Sequence, residues 1–304
     1  MDKRTLLRVG RYAGFGIALL SFFYMYRIGK DAVLQRPPFT AGTLAIAILL
    51  CCGYAVFPCV SAYTWKLAVE VASKQKMSSG DAVRIYVRAN IAKYLPGNVM
   101  QYVERNLVGA RYGWAHKHLA LGSVLEVIFV IAIPACILLA FKSSGLWQLP
   151  DAYSLGGIST IAATALLFTA LAVGLWVYFR ARGVARQLAV AILKTTVLAV
   201  GSMLLYTVFF YVVAVYLFGV DLREADFVNV ACSLTVAGYA GLLTPGVPGG
   251  IGVKESLSVV LLSAYGYDKA ALVVVLIFSR ALSVIGEVLA FALVANSLPA
   301  PPES

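Results

Sequence analysis

The chain has 304 residues, of which 61% are hydrophobic and only 13% are charged, and its formal net charge is +11. A soluble domain would be about a quarter charged, so this composition excludes an ordinary soluble protein and predicts a polytopic membrane protein. The basic residues are spread over separate loops beside apolar runs, which argues against nucleic-acid binding. Neither the five cysteines nor the two histidines show a metal-ligand spacing, so we expect no metal ion and no cofactor.

Six long apolar runs predict full membrane spans, because most of them reach or approach the ~20 residues that a spanning helix needs. They are Tyr12–Tyr26, Ala41–Tyr63, Leu119–Phe141, Gly157–Phe179, Thr195–Val220 and Ala270–Ala295. We interpret the first run as a retained helix rather than a signal peptide, because Arg27 and Lys30 follow it instead of a small-residue cleavage site.

One motif occurs twice, from Lys93 to Trp114 and from Thr244 to Tyr267. Each copy has a Pro-Gly pair, then a charged pair within nine positions, then Tyr-Gly-aromatic before a long apolar run. A duplicated, helix-breaking and charge-bearing element in an apolar chain is typical of a transporter built from repeats. We place repeat 1 at about 41–141 and repeat 2 at about 195–296, within a single membrane domain covering 1–304 and without a soluble domain.

Each Pro-Gly element should interrupt its helix, because proline removes a backbone donor and glycine relaxes the backbone. This predicts two re-entrant or broken helical hairpins, at Ala82–Arg111 and Val228–Tyr265. Lysine and arginine are concentrated near the N-terminus and in alternate loops, which places both termini in the cytoplasm. The two hairpins then enter from opposite sides, so the predicted fold is an all-α polytopic protein with about six full spans and two hairpins in an inverted repeat.

Candidate substrate-binding residues lie in and around the two breaks. Non-helical backbone at membrane depth is tolerated where it is buried in protein or lines a wet cavity, and a restarting helix offers free N–H groups to an anion. Charged side chains at this depth are costly and are functional candidates by default. The candidates are Lys93, Pro96, Gly97, Asn98, Gln101, Glu104, Arg105, Glu126, Thr244, Pro245, Gly246, Pro248, Gly249, Gly250, Gly252, Lys254, Glu255, Arg280 and Glu287.

Two of these candidates carry opposite charges at near-equivalent places in the repeats. Glu126 lies 14 residues after Tyr112, and Arg280 lies 15 residues after Tyr265. The pattern leaves three roles open: a pair across the pseudo-symmetry axis, a separate contact of each residue with substrate, or a purely structural ion pair. Arg280 and Glu287 are two turns apart on one helix face, too far for direct contact.

From about Ala41 to Ala295 the chain resembles the membrane family named after the transmembrane region of lysylphosphatidylglycerol synthase. That family includes the flippase part of the bacterial multiple peptide resistance factor and many stand-alone proteins. The likeness rests on Lys-Tyr-Leu-Pro-Gly followed by Arg105, and on the TPGxxGGxGxxE-like segment Thr244–Glu255. The family usually has arginine before the glutamate of the second motif, whereas this chain has Lys254, which keeps the charge but loses bidentate phosphate binding.

The resemblance implies a lipid flippase or translocase, working by alternating access in a bacterial cytoplasmic membrane. Its substrate would be a lipid with an anionic or zwitterionic headgroup: a phospholipid, an aminoacylated phospholipid or a polyprenyl-phosphate-linked sugar. The headgroup would lie between the hairpin tips, near the N–H groups of Gly97 and Gly249–Gly252. Lys254 and Arg105 would supply positive charge, and Glu104, Glu126 and Glu255 would orient them or bind a cationic headgroup.

Two other classes of function stay open. One is an integral-membrane enzyme that modifies lipids, with Glu104 or Glu255 as a general base. The other is a non-transporting membrane partner of a glycosyltransferase. We expect no soluble catalytic domain after the spans, and therefore no lipid aminoacylation. The sequence leaves the oligomeric state open and is compatible with a homodimer.

Overall fold

The computed structural model describes residues 40–94, 99–148, 183–223, 226–244 and 247–295, together with Phe23, Tyr26 and Arg27. All regular structure in these ranges is helical, which confirms the predicted all-α class for this part of the chain. The helices are α1 Ala41–Tyr54, α2 Phe57–Ser73, α3 Ser79–Asn90, α4 Met100–Arg111, α5 His116–Ser143, α6 Ala185–Val212, α7 Phe227–Leu243, α8 Val253–Ser263 and α9 Lys269–Ala295. A 3-10 turn, Ile91–Tyr94, follows α3, another, Pro248–Gly250, precedes α8, and a π-helical turn, Val213–Leu217, extends α6.

Four helical stretches are long and apolar enough to cross a membrane: Ala41–Ser73, His116–Ser143, Ala185–Leu217 and Lys269–Val294. Each coincides with one of the predicted spans, and together they support an integral membrane protein. The first stretch combines α1 and α2, which join at Ala55 and Val56. Pro58 lies in the first turn of α2, where its missing N–H costs little. Of the remaining predicted spans, Gly157–Phe179 lies outside the described residues, as does Tyr12–Tyr26 apart from Phe23 and Tyr26.

The helices end where the Pro-Gly elements predict. The 3-10 turn after α3 stops at Tyr94 and α4 starts at Met100, while α7 stops at Leu243 and α8 starts at Val253. The first broken segment begins at Ser79 rather than at the predicted Ala82, and the second ends its helix at Ser263 rather than at Tyr265. Residues 95–98 and 245–246, including Pro96, Gly97, Asn98, Pro245 and Gly246, lie outside the described ranges.

The chain divides into two compact units, and the first comprises Met1–Ala55, Ala92–Met100 and Leu204–Leu289. Its core packs aromatic side chains of α6, such as Phe209 and Phe210, with the apolar face of α9. In this unit α7 packs against α8 and against the 3-10 turn before it. A Cβ atom on Gly250 would lie 2.9 Å from the Cα of Gly241 on α7, so glycine at 250 lets the broken backbone rest on that helix.

The second unit comprises Val56–Ile91, Gln101–Met203 and Ala290–Ser304. Helix α2 packs against both α3 and α5, and Trp65 at its centre is fully buried and donates a 3.1 Å hydrogen bond from Nε1 to Ser123 Oγ. Gly122 permits the close approach of α5 to α2, because a Cβ atom there would lie 2.9 Å from the Cα of Val69. Small residues at such a crossing are the usual means of packing helices tightly in membranes.

Candidate functional site

A group of charged residues in the first unit, together with one tyrosine and one glycine that they contact, links the two broken segments to α9. We call it the charged cluster; its members are Lys93, Tyr94, Gly249, Lys254, Glu255, Arg280 and Glu287. All lie in the ranges that form the first unit. The first two come from the first Pro-Gly element, the next three from the second, and the last two from the span that follows it.

Glu287 attaches the first broken segment to α9. Lys93 Nζ lies 2.6 Å from Glu287 Oε1, and the Tyr94 hydroxyl donates a 2.9 Å hydrogen bond to Oε2. The carboxylate is 7% exposed and the lysine side chain 19%. Each oxygen of this nearly buried carboxylate therefore has a donor, as the cost of burying an unpaired charge requires.

Arg280 contacts both broken segments. Its Nη2 donates a 3.1 Å hydrogen bond to the carbonyl oxygen of Gly249, and its guanidinium carbon lies 5.6 Å from the centre of the Tyr94 ring. Its Nε lies 3.9 Å from Glu255 Oε1, which makes a loose ion pair. Gly249 has φ +57°, and a Cβ atom on it would lie 2.9 Å from Arg280 Nη2, so the arginine reaches the backbone because residue 249 is glycine.

The helix that restarts after the second break is capped by its own carboxylate. Glu255 Oε2 accepts a 2.7 Å hydrogen bond from the N–H of Gly252, which precedes α8. A glutamate three residues into a helix reaches back in this way and satisfies an end N–H group beside the positive end of the helix dipole. The N–H of Gly250 donates to the carbonyl of Val247 at 3.2 Å. These bonds correct the expectation that the N–H groups of Gly250 and Gly252 are free for an anion.

Lys254 differs from the other cations of the cluster in its surroundings. Its Nζ lies 4.1 Å from the centre of the Tyr206 ring, and within the described ranges it is in no ion pair. Its positive charge is close enough to repel the ammonium group of Lys93. The stem packs beside α7, since a Cβ atom on Gly241 would lie 3.2 Å from Lys254 Cβ. The sequence had no signal for Tyr206, which looks like one of many aromatic residues in an apolar run.

In the second unit, Arg105 of α4 forms a buried ion pair with Glu126 of α5. The side chains are 2% and 5% exposed, and the guanidinium lies 3.9 Å from the centre of the Tyr86 ring and 5.0 Å from that of Tyr102. Gln101, one turn earlier on α4, is also buried. The sequence left open a pair between Glu126 and Arg280; instead, each of these residues has a partner of opposite charge within its own unit.

The two units thus carry the same kind of pair with the charges exchanged. In the first motif the helix after the break carries Arg105 and the next helix carries Glu126; in the second motif the helix after the break carries Glu255 and the next helix carries Arg280. The pair with Arg105 is in direct contact and buried, whereas the pair with Arg280 is 3.9 Å apart and its arginine is 21% exposed. Arg280 is therefore the less tightly paired of the two arginines.

The other sequence candidates have lesser roles in this geometry. Glu104 is partly exposed on α4, and the Thr244 hydroxyl donates a 2.6 Å hydrogen bond to the carbonyl of Ala240 at the end of α7. Pro248 starts the 3-10 turn before α8. Within the part of the chain that the structure describes, His, Cys, Asp and Glu form no group of three or more that could hold a metal ion.

Lys93, Gly249, Lys254, Glu255, Arg280 and Glu287 therefore come together in one unit, and Arg105 and Glu126 come together in the other. The aromatic partners were missed from the sequence: Tyr94 and Tyr206 in the first unit, and Tyr86 and Tyr102 in the second. Tyr94 sits inside the first motif, next to Lys93, so its place there was a usable signal. Comparison of the chain with protein-family models, with curated proteins and with solved structures gives no match.

Proposed function

We propose that the protein is a lipid translocase that moves a lipid with an anionic or zwitterionic headgroup across the membrane by alternating access. The observation that carries the proposal is the charged cluster, where both Pro-Gly elements meet charged side chains of α9 in an otherwise apolar helical protein. Ionisable groups at membrane depth are costly and mark substrate paths. A site formed by interrupted helices near the midplane is the usual arrangement in transporters built from repeats.

In the proposed topology, six full spans and two re-entrant hairpins form an inverted repeat in a bacterial cytoplasmic membrane, with both termini in the cytoplasm. Three features support it. The helix breaks recur in the two motifs, and a long apolar helix follows each broken segment. In each motif an ion pair joins the helix after the break to this long helix, α4 to α5 in the first and α8 to α9 in the second. The resemblance to the family of lysylphosphatidylglycerol synthase transmembrane regions leads to the same topology.

The proposed mechanism separates the headgroup from the lipid tails. The headgroup enters the charged cluster, while the tails remain in the surrounding lipid. Glu287 holds Lys93 and Tyr94, and Arg280 holds the Gly249 carbonyl, so these contacts keep the two broken segments closed on α9. A phosphate that draws Lys93 or Arg280 toward itself would weaken those contacts and let one segment move.

The test is translocation by the purified full-length chain in liposomes. Acyl-chain-labelled phosphatidylglycerol, phosphatidylethanolamine, phosphatidylcholine and a labelled polyprenyl-phosphate sugar are each scored by loss of fluorescence to an external quencher. We expect the wild-type protein to accelerate at least one lipid over protein-free liposomes. Lys254→Ala should slow that lipid about tenfold or more, the factor that corresponds to one lost charged contact.

The matched control is Lys269→Ala, because Lys269 is an exposed lysine at the start of α9 outside the charged cluster. It should transport as the wild type does. A wild-type protein that accelerates none of the four lipids would overturn the proposal. Equal rates for wild type and Lys254→Ala would remove the charged cluster from the mechanism.

A further inference from the structure

The two carboxylates of the charged cluster are already engaged by the protein itself. Glu287 accepts from Lys93 Nζ on one oxygen and from the Tyr94 hydroxyl on the other. Glu255 accepts from the Gly252 N–H on one oxygen, and its other oxygen is in a loose ion pair with Arg280 at 3.9 Å. An ammonium group entering the cluster would have to share these carboxylates with the Lys93 ammonium and the Arg280 guanidinium, and both of these like charges repel it.

The cations of the cluster are not matched in the same way. Lys254 Nζ faces the Tyr206 ring at 4.1 Å and has no carboxylate partner among the described residues. Arg280 Nε is buried and makes no hydrogen bond within the described ranges, with Glu255 Oε1 no closer than 3.9 Å. The cluster also holds three cations, Lys93, Lys254 and Arg280, against two carboxylates, so its own charge balance is positive.

The Tyr206 ring can orient Lys254 without neutralising its charge, which leaves the lysine able to bind an anion. A ring face attracts an ammonium but does not neutralise it, so Lys254 stays oriented while its charge remains available. Its Cβ atom packs next to Gly241, and its ammonium group is held over the ring. A lysine acts on phosphate as a point charge and does not demand the planar, two-point geometry that arginine does.

We propose that Lys254, held over Tyr206, is the phosphate contact of this site and that the charged cluster selects phosphate esters without an amine over zwitterionic or cationic headgroups. The inference rests on the proposed translocase function and narrows its substrate class to anionic lipids. Tyr206 is then a specificity-determining residue, because its ring replaces the carboxylate that would otherwise neutralise Lys254.

Binding in detergent tests this selectivity without requiring transport. Purified full-length protein is titrated with acyl-chain-labelled phosphatidylglycerol, phosphatidylethanolamine and phosphatidylcholine. Phosphatidylglycerol should bind about tenfold or more tightly than either zwitterionic lipid, since one charge-assisted contact has about that worth. Lys254→Gln should weaken phosphatidylglycerol most and reduce this preference, because it leaves two cations against two carboxylates and removes the excess positive charge. Lys254→Arg should restore the preference.

The controls separate a lost contact from a misfolded protein. Lys269→Gln should bind all three lipids as the wild type does, and each variant must elute as a single peak in size-exclusion chromatography. Tyr206→Phe keeps the ring and should keep the preference, whereas Tyr206→Leu should weaken it. Equal binding of phosphatidylglycerol and phosphatidylethanolamine by the wild type, or an equal loss of both in Lys254→Gln, would overturn the inference.

Two further arms identify the source of the phosphate. Glycerol 1-phosphate and inorganic phosphate are added as competitors of labelled phosphatidylglycerol. Failure of both to displace the lipid at millimolar concentration supports a lipid site, whereas displacement by inorganic phosphate assigns the site to a free anion and overturns the inference. Selective binding without translocation would refute only the translocase, and translocation of phosphatidylethanolamine as fast as phosphatidylglycerol would refute only the selectivity.

Discussion

Removing one member of the Arg105–Glu126 pair should destabilise the protein far more than removing both. The side chains are 2% and 5% exposed, so either residue left alone is an uncompensated buried charge. Breaking such a pair costs about 3–5 kcal/mol, whereas replacing both members with apolar residues of similar volume is often neutral. We therefore expect Arg105→Leu and Glu126→Leu each to lower the free energy of unfolding strongly, and the double variant to regain most of the loss.

The two single variants should differ in how much free energy of unfolding they lose. A buried carboxyl group can lose its charge by taking up a proton, but a guanidinium cannot give its proton up. Glu126→Leu leaves Arg105 charged against the ring of Tyr86, so it should cost more than Arg105→Leu. The coupling free energy from the double-mutant cycle should be at least about 3 kcal/mol.

The assay is SDS-driven unfolding in mixed micelles, followed by tryptophan fluorescence. Trp65 and Trp147 are both buried in the second unit and report on its packing. Arg111→Leu is the matched control, because Arg111 is exposed on the same helix, α4, and should change the free energy of unfolding by less than about 0.5 kcal/mol. A cost for Glu126→Leu below about 1 kcal/mol, or additive effects of the two substitutions, would refute the buried-pair argument.

Two more substitutions test the packing and the charged cluster. Gly122→Val should cost about 1–3 kcal/mol or more in the same unfolding assay, because the side chain would meet the backbone of Val69. Gly201→Ala, where nothing lies within 4 Å of the added methyl group, should be neutral or stabilising, and equal stability of the two variants would contradict the close packing. Glu287→Gln keeps an oxygen for hydrogen bonding but removes the charge facing Lys93, so lipid translocation should change about tenfold or more. An unchanged rate in liposomes would separate this pair from the transport path.

The positions of the helices and of their breaks could be predicted because their signals are local. Apolar runs long enough to span a membrane and the Pro-Gly elements at residues 96 and 248 act on the backbone of their own segments. The lack of a pair between Arg280 and Glu287 was also predictable, because the two residues are two turns apart on α9. Each of them has its own partner of opposite charge. No knowledge of the neighbouring helices is needed for any of these features.

The pairing of side chains could not be predicted, because it depends on which helices pack together. The similar spacing of Glu126 and Arg280 after their tyrosines allowed a pair between them, but packing of α4 against α5 gives Glu126 to Arg105. The cap that Glu255 forms on the Gly252 N–H is an exception, because it is a local contact within one turn and its spacing is readable in the sequence. It removes a donor that the motif offers to a ligand. Tyr206 is distant in sequence from both motifs, so only the fold brings it to Lys254.

The most direct measurement of the central claim is an electron cryo-microscopy map of the full-length protein in nanodiscs containing phosphatidylglycerol. The account predicts headgroup density within about 4 Å of Lys254 Nζ, the distance of a close charge pair, lying between Tyr94 of the first broken segment and Gly249 of the second. The same density should be missing from Lys254→Gln prepared in parallel. Ordered lipid confined to the outer surface of the spans, with Lys254 still over Tyr206 and no density beside it, would contradict the account.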